Sequence, residues 1–293
     1  MKYIKWYFGV VCWVMLWMNA CTTKNSHTHD LLPEGAFTSG IEGPATDKKG
    51  NVYAVNYQEE GTVGIVYSDG IHERFLDLPE GSTGNGIRFN MDGDMYIADY
   101  TGHNILRVDM QTKEISVFAH EPEMNQPNDI AVAPNGNIYA SDPDWANNSG
   151  QLWLINSAGE VTLLETEMGT TNGIEVSPDG NTLYVNESVQ LKLWAYDIQP
   201  DGNLFNKRLF HSFEGFGMDG MRCDIEGNLY LCRYDKGTVV ILSPEGKLIR
   251  EIQLKGAKPS NITFGGSDNR QCYVTLQDRG CFETFRADYP GRE

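Results

Sequence analysis

The chain has 293 residues, 40% of them hydrophobic, which is enough to bury a full core as one large domain or two ordinary ones. Its 40 acidic residues outnumber the 23 basic ones and give a formal net charge of −17. A field of that sign disfavours nucleic acid and anionic membrane surfaces as partners, and it suits cations.

The first element in chain order is an export segment. Lys2 and Lys5 precede the apolar run WYFGVVCWVMLWMNA, which ends at Cys21 and gives way to the polar TTKNSHTHD. A basic start, a hydrophobic stretch short for a bilayer span and a small residue before the break describe a signal, not part of a folded core. Ala20 followed by Cys21 resembles the lipobox of bacterial lipoproteins, which implies lipidation of Cys21 and membrane attachment through that lipid alone. The expected organisation is an export signal over 1–21, a tether over 22–35 and the folded domain over 36–293, outside the cytoplasm, facing the periplasm or cell surface. The four later cysteines, Cys223, Cys232, Cys272 and Cys281, form no C-x-x-C, and their pairing is open.

From residue 36 onward one module recurs. Its copies are IEGPATDKKGNVYAVNY, GNGIRFNMDGDMYIADY, PNDIAVAPNGNIYASDP, TNGIEVSPDGNTLYVNES and MDGMRCDIEGNLYLCRY, with a looser sixth, SNITFGGSDNRQCYVTLQD. Each reads as a short strand, a turn ending in glycine and a strand centred on tyrosine. The turn glycines Gly50, Gly93, Gly136, Gly180 and Gly227 lie 43, 43, 44 and 47 residues apart, and further strand-like runs such as HNILRVDM and QLWLINSAG fill the intervals. Four strands per unit of roughly 45 residues is the arithmetic of a β-propeller blade, so the sequence predicts an all-β, six-bladed β-propeller. GFGMDG, over 215–220, matches the dinucleotide-binding fingerprint letter for letter, but strands follow it and no helix does, so the nucleotide reading is set aside.

Eight residues before the turn glycines stand Glu42, Asn85, Asn128, Asn172 and Asp219, and Asn261 takes the matching strand start of the sixth repeat. Local turn chemistry explains an Asn or Asp here and there. It does not explain Glu42 or one register held through every repeat. Inner strands of a propeller line its axis, so these oxygen-bearing side chains are expected to converge on one axial pocket. Two carboxylates with neutral amide oxygens suit a hard divalent cation, and the absence of His and Cys from the column argues against zinc as the native ion. Asn56, Asp99, Asp142, Glu187 and Arg233, at the ends of the second strands, are expected on the pocket rim.

The motifs EGPATDKKGNVYAVNY, PNDIAVAPNGNIYASDP, TNGIEVSPDGNTLYVNES and MDGMRCDIEGNLYLC, with FGGSDNRQCYVT near the end, resemble the gluconolactonase / regucalcin / luciferin-regenerating-enzyme family across essentially the whole domain. The resemblance implies a six-bladed propeller with one axial divalent cation, calcium first, with Zn²⁺, Mg²⁺ or Mn²⁺ as in-vitro substitutes. It makes Glu42, Asn172 and Asp219 the metal ligands, with Asn128 touching metal or substrate, and it implies a small sugar lactone as substrate.

The activity expected on these grounds is lactone hydrolysis by water added to a cation-polarised carbonyl, with Asp219 as ligand and base and Asp129 as the weaker candidate for base. Asn128, Asp129, Asn85, Asp142 and Asn261 are the expected substrate contacts. A phosphotriesterase-like hydrolase on the same metal and a non-catalytic carbohydrate- or metal-binding propeller are the competing readings. The oligomeric state is left open.

Overall fold

The computed structural model describes Met1 and residues 28–292; the export signal and Cys21 lie outside the described residues. Six four-stranded antiparallel sheets follow one another round a ring, and five of them are built from consecutive strands in sequence order. Blade 1 has its innermost strand at Phe37–Thr46, and the innermost strands of blades 2 to 6 are Gly84–Phe89, Ile130–Val132, Thr171–Val176, Met221–Cys223 and Pro259–Gly265. The sixth blade takes its outermost strand from the other end of the chain: His29–Asp30 pairs with Cys281–Arg286 and latches the ring. The fold therefore begins inside the stretch expected to be tether.

The repeat is legible in the turns. Gly50 donates its N–H to the Asp47 carbonyl, and Gly93, Gly136, Gly180 and Gly227 bond back three residues in the same way. All five have a φ between +74° and +94°, where a side chain would be strained. In blade 1 the Asp47 carboxylate also accepts the Lys49 and Asn51 N–H groups, which fixes the turn from the side-chain direction.

The core is divided among the blade interfaces. One cluster joins Tyr53, Val55 and Ile65 of blade 1 to Ile87, Ile97 and Leu106 of blade 2, and five further clusters repeat the arrangement round the ring. The tyrosine of each repeat faces the next blade, as where Tyr230 meets Phe264 edge-on with ring centroids 4.9 Å apart. Cys223, Cys232, Cys272 and Cys281 are buried free thiols, and burial pushes the Cys281 thiol up to about 11 and the others well above the ordinary range. They serve as small apolar core residues.

Candidate active site on the propeller axis

Glycine sets how closely the inner strands approach the axis. A Cβ on Gly173 would run into the Asp219 carbonyl of blade 5, and one on Gly220 would run into the Asn261 side chain of blade 6. The same crowding holds for Gly43 against the Asn85 carbonyl and Gly86 against Asp129. The E-G, N-G and D-G pairs thus combine a polar side chain with a neighbour small enough for the next blade to close over it.

Strand register gives the ring its membership. Ile87, Ile130, Ile174 and Met221 pair with the residue after each blade's tyrosine, and Asn85, Asn128, Asn172 and Asp219 stand two places before them. Glu42 pairs with Val55 at the equivalent level. In blade 6 the residue so paired is Ile262, so the ring position belongs to Ser260, and Asn261 stands one place further along. Backbone bonding agrees: Gly220 N–H donates to the Ser260 carbonyl as Gly86 N–H donates to that of Asn128. The sixth hairpin is longer between inner strand and tyrosine, so counting along the sequence slips there.

Two carboxylates dominate this ring, Glu42 buried and Asp219 half-buried. Burial pushes Glu42 up to about 7, helped by the nearby Asp129 charge, while the Gly43 N–H, which donates to Glu42 Oε2 at 2.6 Å, and Asn261 oppose the shift. Burial, then the Glu42 and Asp129 charges, raises Asp219 well above the carboxylate range, and the Asn172 side chain holds it lower than it would otherwise be. Among the described residues neither acid forms an ion pair with an arginine or lysine. Tyr234 stands near both: burial first, then the Asp219 charge, pushes its hydroxyl up to about 12, and that hydroxyl donates to Gln277 Oε1 at 2.9 Å.

A second layer lies directly along the axis. Asp129 occupies the place where most blades have glycine; its carboxylate accepts from Arg88 Nη1 at 2.9 Å and from Asn261 Nδ2 at 3.3 Å, with Arg222 at 3.7 Å. Glu175 lies 3.8 Å from Arg88 and 3.9 Å from Arg222, and it accepts from Arg292 of the C-terminal tail at 2.5 Å. Asp129 and Asn261, expected to touch substrate, are here members of a packed ion network. The sequence reading missed Arg88, Glu175, Arg222 and Arg292. The first three stand three residues after ring members, and a charge inside GIRF, GIEV and GMRC was the available signal.

The expected rim residues are buried and bound to loops. Asp142 is fully buried; it accepts from the Asn125 and Gln126 N–H groups, at 2.9 and 2.6 Å, and from the Trp153 indole at 2.9 Å. Asp99 accepts from Thr83 N–H, Glu187 from Gly169 N–H, Asn56 donates to the Gly40 carbonyl and Arg233 to that of Gly215. Asn56 thus braces the inner strand of blade 1 and the others clamp the loop that enters an inner strand, so these are buried supports and not solvated rim groups.

The ring can be tested as a cation site by its donors. No group of three or more His, Cys, Asp or Glu is placed to hold a metal among the described residues. Two carboxylates outside any ion pair, with the amide oxygens of Asn172, Asn128 and Asn85, remain, a set of hard oxygen donors that fits a dication by charge and by type. The fold defines the chain as a six-bladed β-propeller with polar side chains at the starts of its inner strands.

Residues 41–278 match the model of the SMP-30/Gluconolactonase/LRE-like region, and the chain belongs to that family. It is 28% identical over 206 residues to a gluconolactonase of Zymomonas mobilis, covering 62% of this chain and 57% of that protein; the chain thus spans little more than half of that relative's length. It is 26% identical over 286 residues to the diisopropyl-fluorophosphatase of Loligo vulgaris, covering 87% and 91% of the two chains. The solved gluconolactonase of Xanthomonas campestris superposes with a TM-score of 0.77 at 21% identity, covering 90% of each chain, a likeness of fold.

Proposed function

We propose that the protein is a divalent-cation-dependent lactonase that opens a sugar lactone at the axial ring. The observation that carries this reading is the pair Glu42, buried, and Asp219, half-buried, with the Glu42 charge raising Asp219 and neither acid in an ion pair with a lysine or arginine among the described residues. Glu42, Asn172 and Asp219 would hold the cation, calcium first, with Asn128 as a further oxygen donor. When bound, such an ion supplies Lewis acidity toward a lactone carbonyl.

The chain's own residues supply the rest. Asp219 orients the attacking water and accepts its proton as the new C–O bond forms, then returns a proton to the ring oxygen as the ester bond breaks. Asn128 and Asn85 hydrogen-bond the sugar hydroxyls. Asp129, tied to Arg88, and Asp142, tied to the loop before Asn128, act from behind by fixing the inner strand of blade 3.

The test is a pH-indicator assay on D-glucono-1,5-lactone and related aldonolactones, with and without chelator, using the chain from residue 22 onward. Turnover that chelator removes and Ca²⁺ restores supports the reading; chelator-resistant turnover, or none on any lactone, overturns it. The fluorophosphatase relative, aligned over most of the chain, favours a phosphotriester as the second reading. An aryl phosphotriester in the same assay separates the two.

Placement outside the cytoplasm, with Cys21 lipidated, belongs to the same proposal. It is supported by the basic start, apolar run and Ala20–Cys21 junction, and mass spectrometry of the mature N-terminus tests it.

A further inference from the structure

We infer that Asn186 is a positioning residue for the axial cation site, holding the Asp219 segment of blade 5 against Asn172 of blade 4; this rests on the lactonase reading above. Asn186 lies on the second strand of blade 4, Thr182–Glu187, and is fully buried. Its Nδ2 donates to the Asp219 carbonyl at 2.6 Å. Asp219 precedes the strand Met221–Cys223, so this carbonyl lies outside the ladder, and the neighbouring blade supplies its donor. Gly173 leaves the necessary room: a Cβ there would come within 2.7 Å of Asn186 Nδ2.

The other blades show what this position does when it has only a structural role. Val55, Ala98, Ser141, Cys232 and Thr275 stand two places after their tyrosines, as Asn186 does after Tyr184. Ser141 and Thr275 carry hydroxyls, and both bond to their own blade's inner strand, at Asp129 and Asn261. Asn186 alone of the six reaches across to the next blade, and it meets the backbone of a proposed ligand.

The arrangement is an expensive way to fill space. Asn186 Oδ1 is buried without a protein hydrogen-bond partner, a cost that valine, alanine or cysteine avoids in three other blades. A carboxamide retained there is accounted for by its donor, whose length sets the spacing between the Asn172 and Asp219 strands. Groups that orient ligands from behind commonly change metal affinity by about 10- to 100-fold when removed.

The test is calorimetric titration of Ca²⁺ into chelator-stripped protein, for the wild type, Asn186→Leu and Asn186→Thr. Leucine keeps the branched heavy-atom shape and removes the donor. Threonine is the native residue of this register in blade 6, and its hydroxyl is too short to span the interface. The expected result is Ca²⁺ affinity weakened about tenfold or more in both variants, with kcat falling while the chelator-stripped protein melts within a few degrees of wild type. Affinities within twofold of wild type overturn the inference and leave the axial reading standing. Weakening accompanied by an equal collapse of the stripped threonine variant also overturns it, in favour of a general packing role. A wild type that binds no Ca²⁺ removes the axial reading, and this inference with it.

Discussion

Two layers of the same ring each hold a pair of acids and treat them in opposite ways. In the deeper layer Asp129 and Glu175 are neutralised from within the chain by Arg88, Arg222 and Arg292. In the ring, Glu42 and Asp219 lie among carboxamides with no ion pair among the described residues, the Arg222 charge only partly opposing burial at Glu42, and both are driven toward protonation. A buried ion pair can be replaced by hydrocarbon at little cost, whereas a buried uncompensated acid is strongly unfavourable, so the ring is the layer that calls for something from outside.

Breaking the ring should produce the largest effect. Asp219→Asn is expected to lower lactone turnover by about 10³-fold, the scale of removing a principal charge-stabilising group, and to abolish Ca²⁺ binding by calorimetry. Removing one of two repelling acids should at the same time leave the chelator-stripped protein as stable as wild type or more so. Breaking the deeper layer should do the reverse. Arg88→Met removes the nearest cation of the buried Asp129 and is expected to cost about 3 kcal/mol of folding stability, read by urea denaturation, whether or not cation is present.

The pH dependence sharpens the contrast. Glu42 titrates near 7 in the folded protein against 4.5 when exposed, so its contribution to stability is fully present below about pH 4.5 and is lost as pH rises through about 7. Asp219 shifts in the same direction. Chelator-stripped protein should therefore melt lower at pH 8 than at pH 5.5, and saturating Ca²⁺ should flatten or reverse that slope; a slope indifferent to Ca²⁺ would remove the ring as a cation site. The smallest effect is expected from Arg292→Ala, about 1–2 kcal/mol by denaturation, because Glu175 keeps Arg88 and Arg222 nearby.

The fold was legible because each repeat writes the same turn: a glycine at positive φ, with an apolar strand centred on tyrosine behind it. Five of the six ring members were legible for the same reason, since a fixed count from that glycine lands on Glu42, Asn85, Asn128, Asn172 and Asp219. The sixth was not. Its hairpin is longer, and the register that makes Ser260 the ring residue is set by pairing with Gln271–Leu276, which no local count contains. The arginine layer stayed hidden because its partners come from blades 2, 3, 4, 5 and the C-terminal tail, a meeting that only ring closure produces. The rim assignments missed because a carboxylate at a strand end has loop N–H groups within reach, and Asp142 takes three donors before any reach the pocket.

The latch formed by His29–Asp30 ties ends that lie 255 residues apart, as in the bond from Thr284 Oγ1 to the His29 carbonyl. During synthesis the earliest folded residues must wait, unpaired, for the last blade to emerge. A chain that terminates early keeps an open sheet margin, which makes incomplete products prone to self-association and marks them for proteolysis. Emergence of the sixth blade is thus the event that commits the ring to its closed form, at the slow pace that distant pairing imposes.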